Sequence, residues 1–125
     1  MGNPLQAVPY IVSAATPENA VKKKIDAALK PFKKRKVLAY SKTAGSMFGS
    51  NGWPDYAGCF YGFFWAIEAK HYPKRPTDIQ QLRLDEIKDA GGVTLVINET
   101  NVGKLAEFFT RWEAHILKGR ARADS

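Results

Sequence analysis

Apolar residues in the first third of the chain recur at the spacing of one helical face. Thr16 and Pro17 stand just before this segment, and they suit the N-cap and the first helical position. The pattern therefore predicts a helix over residues 17–31. Its predicted buried positions are Val21, Ile25, Ala28, Leu29 and Phe32.

Three short segments with the composition of β-strands follow this helix. They cover residues 36–40, 56–61 and 63–70, and Gly62 can form a tight turn between the last two. Between the first two, the Gly- and Ser-rich segment 41–52 predicts an exposed loop.

A helix, a strand and a second helix are predicted in the last part of the chain. The first of these helices begins with Thr77 or Asp78 as its cap and runs to Ala90, where two glycines end it. Residues 93–98 have the β-branched composition of a buried strand, and Asn101 can cap the final helix. The apolar stripe of that helix consists of Val102, Leu105, Phe108, Phe109, Trp112 and Ile116.

Together these elements predict one α/β domain of order α-β-β-β-α-β-α. Residues 1–15 would be an N-terminal extension, and residues 118–125 a basic tail that we expect to be frayed. A chain of 125 residues with 45% hydrophobic composition is long and apolar enough for a buried core, which excludes the disordered and fibrous classes.

The charge balance indicates a negatively charged partner. The formal net charge is +7, which favours nucleic acid or an anionic membrane surface. Cys59 is the only cysteine, so no internal disulfide can form, and no Cys/His spacing resembles a zinc site. No signal peptide or membrane-spanning stretch is evident, and we expect a cytoplasmic protein without a nucleotide cofactor.

A carboxylate and an ammonium group lie side by side in segment 63–70. Strand alternation puts Glu68 and Lys70 on one face, and Asp55 precedes the other strand of the same hairpin, which can bring it beside Glu68. Two carboxylates and an ammonium suit a hard cation such as Mg²⁺. The alternative is a solvated salt bridge, but a strand this apolar on both faces should be buried, where unpaired charge is costly. A functional role is therefore the preferred interpretation.

These residues form a motif that resembles the PD-(D/E)XK nucleases. The family pattern appears as Gly52-Trp53-Pro54-Asp55 and Glu68-Ala69-Lys70. The continuation is similar to the VRR-NUC branch, with matches at Thr77, Gln80 and Gly91-Gly92. The resemblance covers residues 18–97. It implies a restriction-endonuclease-like mixed β-sheet core flanked by helices, and hydrolysis of phosphodiester bonds with Mg²⁺ or Mn²⁺.

On this interpretation Asp55, Glu68 and the Ala69 carbonyl hold the metal. Lys70 acts as a cation that positions the attacking water and stabilises the phosphate, because two neighbouring carboxylates favour its charged form. Gln80 faces inward on the helical pattern and would assist Lys70, although a buried amide bonded to backbone, or a role for Gln81 instead, is an alternative.

Glu18 is a further candidate metal ligand. It stands at the start of the inward face of the first helix, and the resemblance implies a helical glutamate that reaches the metal. Favourable placement of an acid in the first helical turn explains it equally well.

Several basic residues could contact a DNA backbone, although a solvated helix face would explain some of them. The candidates are Lys22, Lys23, Lys33, Lys34, Arg35, Lys74 and Arg75. Phosphate contacts carry no base readout, so we expect a structure-selective endonuclease. The resemblance implies a phage or bacterial homodimer that cuts four-way (Holliday) junctions or related branched DNA. The alternatives are a nuclease-like module that binds nucleic acid without catalysis, and a peripheral membrane protein.

Overall fold

The computed structural model describes residues 16–43 and 51–124, and these fold into a four-stranded sheet with helices against it. Within these two ranges the order of elements matches the predicted α-β-β-β-α-β-α, with one additional 3₁₀ turn, Val102–Lys104, before the last helix. The predicted extension 1–15, and most of the predicted loop 41–52, lie outside the described residues. The helices are α1 (Pro17–Lys34), α2 (Asp78–Asp89) and α3 (Leu105–Asp124), and the strands are β1 (Leu38–Lys42), β2 (Tyr56–Phe60), β3 (Phe63–Ala69) and β4 (Val93–Ile97).

The sheet is mixed, with the spatial order β1-β2-β3-β4. Strands β1, β2 and β3 form an antiparallel meander, and β4 pairs parallel to β3. Tyr61 and Gly62 both have positive φ, 50° and 85°, as in a type I′ hairpin, and this agrees with the tight turn that the sequence predicted at Gly62. Parallel pairing requires a crossover, and α2 supplies it between β3 and β4.

The two faces of the sheet are covered by different helices. Helices α1 and α3 pack on the face that presents Trp65, Ile67 and Ala69, where the apolar stripe of α1 and Phe109 of α3 complete the main core. Helix α2 covers the opposite face through Leu84 and Ile87. Because both faces are covered, every residue of β3 from Trp65 onward is buried. The mixed α/β class predicted from the sequence is thus confirmed.

The predicted end of the first helix is wrong by three residues. Helix α1 continues through Pro31 to Lys34. Pro31 is exposed, whereas Phe32, in the same turn, is buried against the rings of Phe60 and Phe109. The packing of Phe32 explains why the helix extends past a proline.

Two predictions about the final helix are also wrong. Asn101 does not cap α3: its side chain accepts from the Asn98 amide and donates to the Val96 carbonyl, which closes the turn after β4. Residues 118–124 are helical rather than frayed. Arg120 donates to the Tyr61 carbonyl at 2.6 Å and stacks on the Tyr61 ring, so a long-range contact holds this segment. Among the described residues, no helix combines the length and the apolarity needed to cross a bilayer.

Gly58, at the centre of β2, allows an unusually close approach of β1. A Cβ at this position would lie 2.0 Å from the Ala39 carbonyl oxygen and 2.8 Å from the Tyr40 Cα, and both are backbone atoms. We expect Gly58→Ala to lower the free energy of unfolding by about 3 kcal/mol or more, because the strands would have to separate.

Gly103→Ala is the matched control, because a Cβ there meets nothing within 4 Å. It should leave stability within about 1 kcal/mol of wild type. Urea unfolding of the two variants measures the difference. Equal midpoints would contradict the close packing of β1 on β2.

Candidate active site

Asp55 is held by contacts to strands on both sides of it. Its carbonyl accepts from the Thr43 amide at 2.9 Å, and the Thr43 hydroxyl donates to the Pro54 carbonyl at 2.9 Å. On the other side, the Ala69 amide donates to Asp55 Oδ2 at 2.8 Å. The Asp55 side chain is thereby fixed at the end of β3. Its Oδ2 accepts from the Ala69 amide, and its Oδ1 does not take part in this bond.

The register of the hairpin places Asp55 next to Glu68. Tyr56 pairs with Ile67, so one further step along the antiparallel ladder sets Asp55 opposite Glu68. Directly opposite residues on such a ladder have their side chains on the same face. The structure therefore brings these two predicted carboxylates together at one end of the sheet.

Glu68 and Lys70 are charged residues in the interior, with relative exposures of 2% and 9%. Trp65, Ile67 and Ala69 face α1 and α3, so by alternation Glu68 faces the α2 side of β3, and Lys70 follows directly after the strand. The Lys70 Nζ lies 3.4 Å from Glu68 Oε2. Buried ionisable groups are costly to the fold, so an ion pair in this position contributes little to stability compared with apolar side chains. The burial argues against the solvated salt bridge considered from the sequence.

The surroundings of Glu68 favour its protonated form. Burial, and after it the Asp55 carboxylate, raises the pKa of its carboxyl group to about 7, while Lys70 acts in the opposite direction. The ordinary value is 4.5. The charged form of Glu68 would therefore be stabilised by an additional cation next to Glu68 and Asp55.

The Ala69 carbonyl lacks the partner that a regular ladder would give it. The Lys70 amide donates to Ile97 on β4, so by alternation the Ala69 backbone groups face the β2 side, as the bond from its amide to Asp55 shows. Continuing the register puts Pro54 opposite Ala69. Proline has no N–H to donate. Pro54 therefore donates no hydrogen bond to the Ala69 carbonyl, which makes this buried oxygen a candidate ligand next to Glu68.

These oxygen atoms suit a hard divalent cation. Mg²⁺ is commonly bound by one or two carboxylates, keeps several waters, and takes only oxygen ligands. The side chains of Asp55 and Glu68 with the Ala69 carbonyl meet that description. Across residues 16–43 and 51–124, no three acidic, His or Cys side chains converge into a more complete metal cage. The remaining coordination positions would belong to water and substrate.

Glu18 lies near this site on the first turn of α1. Its negative charge contributes to the raised pKa of Glu68, yet its side chain is 40% exposed and its Oε2 is 3.7 Å from Lys22 Nζ. The structure therefore places Glu18 at the rim of the site, paired with a lysine.

Gln80 has a structural task in the first turn of α2. Its Oε1 accepts from the Thr77 amide at 2.9 Å, and its own amide donates to the Thr77 hydroxyl, which completes a capping box. The spacing Thr-x-x-Gln is the known signal for this motif, and it could have been found in the sequence. No hydrogen bond links Gln80 to Lys70.

The seven basic candidates for DNA contact fall into three groups. Lys23, Lys34, Lys74 and Arg75 are exposed to solvent. Lys33 lies over the Tyr40 ring, and Arg35 donates to Glu113 at 2.8 Å. Lys22 is not on the outer basic surface, because its ammonium lies 3.5 Å from Asp55 Oδ1, at the rim of the site. Sequence reasoning missed this position, although its i,i+4 spacing from Glu18 was a usable signal.

Comparison with known proteins does not assign the chain to a family. Neither the models of protein families nor the curated proteins include a significant match to this sequence.

Proposed function

We propose that this protein is a metal-dependent nuclease of the PD-(D/E)XK type. The observation that carries the proposal is the burial of Glu68 and Lys70 at the end of β3 beside Asp55. Asp55, Glu68 and Lys70 have the spacing of the family motif and lie together at one end of the sheet, where their charges are costly to the fold. A bound cation and a phosphate would satisfy all three groups.

The order of elements supports a restriction-endonuclease-like core. Such a core has a helix before a meander that carries the catalytic acids, then a crossover helix to a parallel strand. Here α1 precedes the meander, and α2 connects β3 to β4. The site lies where β2 begins and β3 ends, so the hairpin itself positions Asp55 against Glu68.

Each side chain of the site has a separate role in phosphodiester hydrolysis. Asp55, Glu68 and the Ala69 carbonyl would hold Mg²⁺ or Mn²⁺, which would supply a lowered pKa for bound water and positive charge beside the phosphate. Lys70, whose Nζ lies 3.4 Å from Glu68 Oε2, donates to the phosphate oxygens in the transition state. It also orients the attacking water. The capping box of Gln80 fixes the start of α2 near this corner.

The substrate we propose is branched DNA, cut by a homodimer. Exposed lysines and arginine on α1 and in the loop before α2 provide phosphate contacts without base readout. The four residues available for this are Lys23, Lys34, Lys74 and Arg75. A two-fold dimer gives two symmetric cuts on a four-way junction.

A cleavage assay tests the proposal. Labelled four-way, three-way, flap and linear DNAs are incubated with Mg²⁺, Mn²⁺ or a chelator. We expect metal-dependent cleavage of a branched substrate, lost at least about 10³-fold in Lys70→Ala because the transition-state cation is gone. Lys74 is exposed and is not one of the proposed catalytic residues, so Lys74→Ala should weaken DNA binding without removing cleavage. Binding of DNA without cleavage under every metal would favour a non-catalytic module and refute the proposal.

A further inference from the structure

The Lys22 ammonium lies between two carboxylates at the rim of the site. Its Nζ is 3.5 Å from Asp55 Oδ1 and 3.7 Å from Glu18 Oε2. The Tyr56 hydroxyl donates to the Lys22 carbonyl at 3.2 Å, which fixes this turn of α1 against β2. Since Tyr56 directly follows Asp55, the same contact sets the distance between the lysine and the carboxylate.

The two oxygens of Asp55 have different partners. Oδ2 accepts from the Ala69 amide at 2.8 Å, so Oδ1 is the oxygen that a cation would use. Oδ1 is also the atom nearest to Lys22 Nζ. The ammonium and a divalent ion therefore require the same oxygen.

We propose that Lys22 is an internal competitor of the divalent cation: it neutralises Asp55 before the ion binds, and it sets the metal concentration at which the site fills. This inference rests on the proposed metal-dependent nuclease function. A partly exposed ion pair of this kind is weak, so an ion of twice the charge can displace it. The displaced side chain can turn toward solvent, because it is 32% exposed.

The competition predicts opposite effects of one mutation on stability and on metal binding. In Lys22→Met, the carboxylates of Asp55 and Glu18 lose their shared counter-charge, so the metal-free protein should melt at a lower temperature. The divalent ion, however, loses a repulsive neighbour. We expect its dissociation constant to fall on the order of tenfold. A lysine that acted only as a structural support would lower stability without tightening metal binding.

Calorimetric titration with Mn²⁺ at an ionic strength of about 0.15 M measures these constants on the full chain. The matched control is Lys24→Met, which removes one positive charge from an exposed position of the same helix. The dissociation constant of Mn²⁺ for Lys24→Met should stay within about twofold of wild type, because water and salt screen the charge of an exposed lysine. Lys22→Arg keeps the charge and should also stay near wild type. If Lys22→Met folds poorly, Lys22→Gln gives the same comparison with a polar side chain.

The outcomes separate this inference from the nuclease proposal. One possible result is that wild type binds Mn²⁺ but Lys22→Met, or Lys22→Gln in its place, binds it no more tightly than Lys24→Met does. In that case the competitor role is overturned and the nuclease proposal stands. Tightening in Lys22→Arg equal to that in Lys22→Met would also overturn it, since the effect would not follow charge. Absence of Mn²⁺ binding in wild type would overturn both.

Discussion

Glu68→Gln should abolish cleavage and, at the same time, stabilise the metal-free protein above pH 7. The loss of activity should reach at least about 10³-fold, because a carboxylate ligand of the ion is replaced by a neutral amide. The gain in stability follows from burial: the pKa of Glu68 is raised from 4.5 to about 7, which corresponds to about 3 kcal/mol of destabilisation when the group is charged. A glutamine of nearly the same shape removes most of that cost.

The pH dependence of the wild type follows from the same shift. Above about pH 7 Glu68 is charged in both folded and unfolded states, so the full destabilisation is present. As the pH falls from about 7 to 4.5, the folded protein takes up a proton that the unfolded chain does not, and the destabilisation is relieved. The difference in stability between Glu68→Gln and wild type should therefore be largest above pH 7 and shrink toward pH 4.5.

Urea unfolding in chelator from pH 5 to pH 8 measures this difference. Glu107→Gln is the control, because Glu107 is an exposed acid paired with Arg111 on the surface of α3. It should change neither activity nor the pH dependence. A Glu68→Gln variant that is less stable than wild type at pH 8 would show that the pairing with Lys70 outweighs the cost of burial.

Asp55→Asn should eliminate the stabilisation that metal gives to the wild type. At a Mg²⁺ or Mn²⁺ concentration of 100 times the dissociation constant, binding adds about 2.7 kcal/mol to the free energy of unfolding. The amide of asparagine can still accept from the Ala69 amide, so the fold is kept, but the negative charge that attracts the ion is absent. Cleavage should fall together with the metal response.

Thermal melting with and without metal provides the measurement, and Asp89→Asn, at the exposed end of α2, is the control. The control should keep the full rise in melting temperature. An equal rise in Asp55→Asn would mean that the ion binds elsewhere on the protein, and the proposed site would have to be abandoned.

Local patterns predicted most of the fold because they depend on neighbouring residues. The spacing of Val21, Ile25 and Leu29 predicted α1, and the tight turn at Gly62 predicted the hairpin. The errors came from contacts between distant segments. Phe32 extends α1 past a proline because the core holds it, and Arg120 keeps the end of α3 helical through Tyr61, which is 59 residues away.

The same distinction applies to the candidate site. The proximity of Asp55 and Glu68 was predictable because a two-residue turn fixes the register of β2 against β3. The position of Lys22 was not, because it depends on how α1 lies across β2, which the Tyr56 hydroxyl helps to set. Sequence spacing placed Lys22 with the basic surface, whereas tertiary packing places it beside Asp55.

Pro54, which lies opposite Ala69, affects how much the sheet would have to rearrange when a ligand binds. Since Pro54 offers no amide hydrogen, the Ala69 carbonyl can accept a new partner without the loss of a ladder bond. At the proposed metal site, uptake of an ion would therefore require the loss of water from the ion and the movement of the Lys22 side chain, but no rearrangement of the sheet. Because the pairing of β2 with β3 would not change, the reorganisation energy of metal binding would be small.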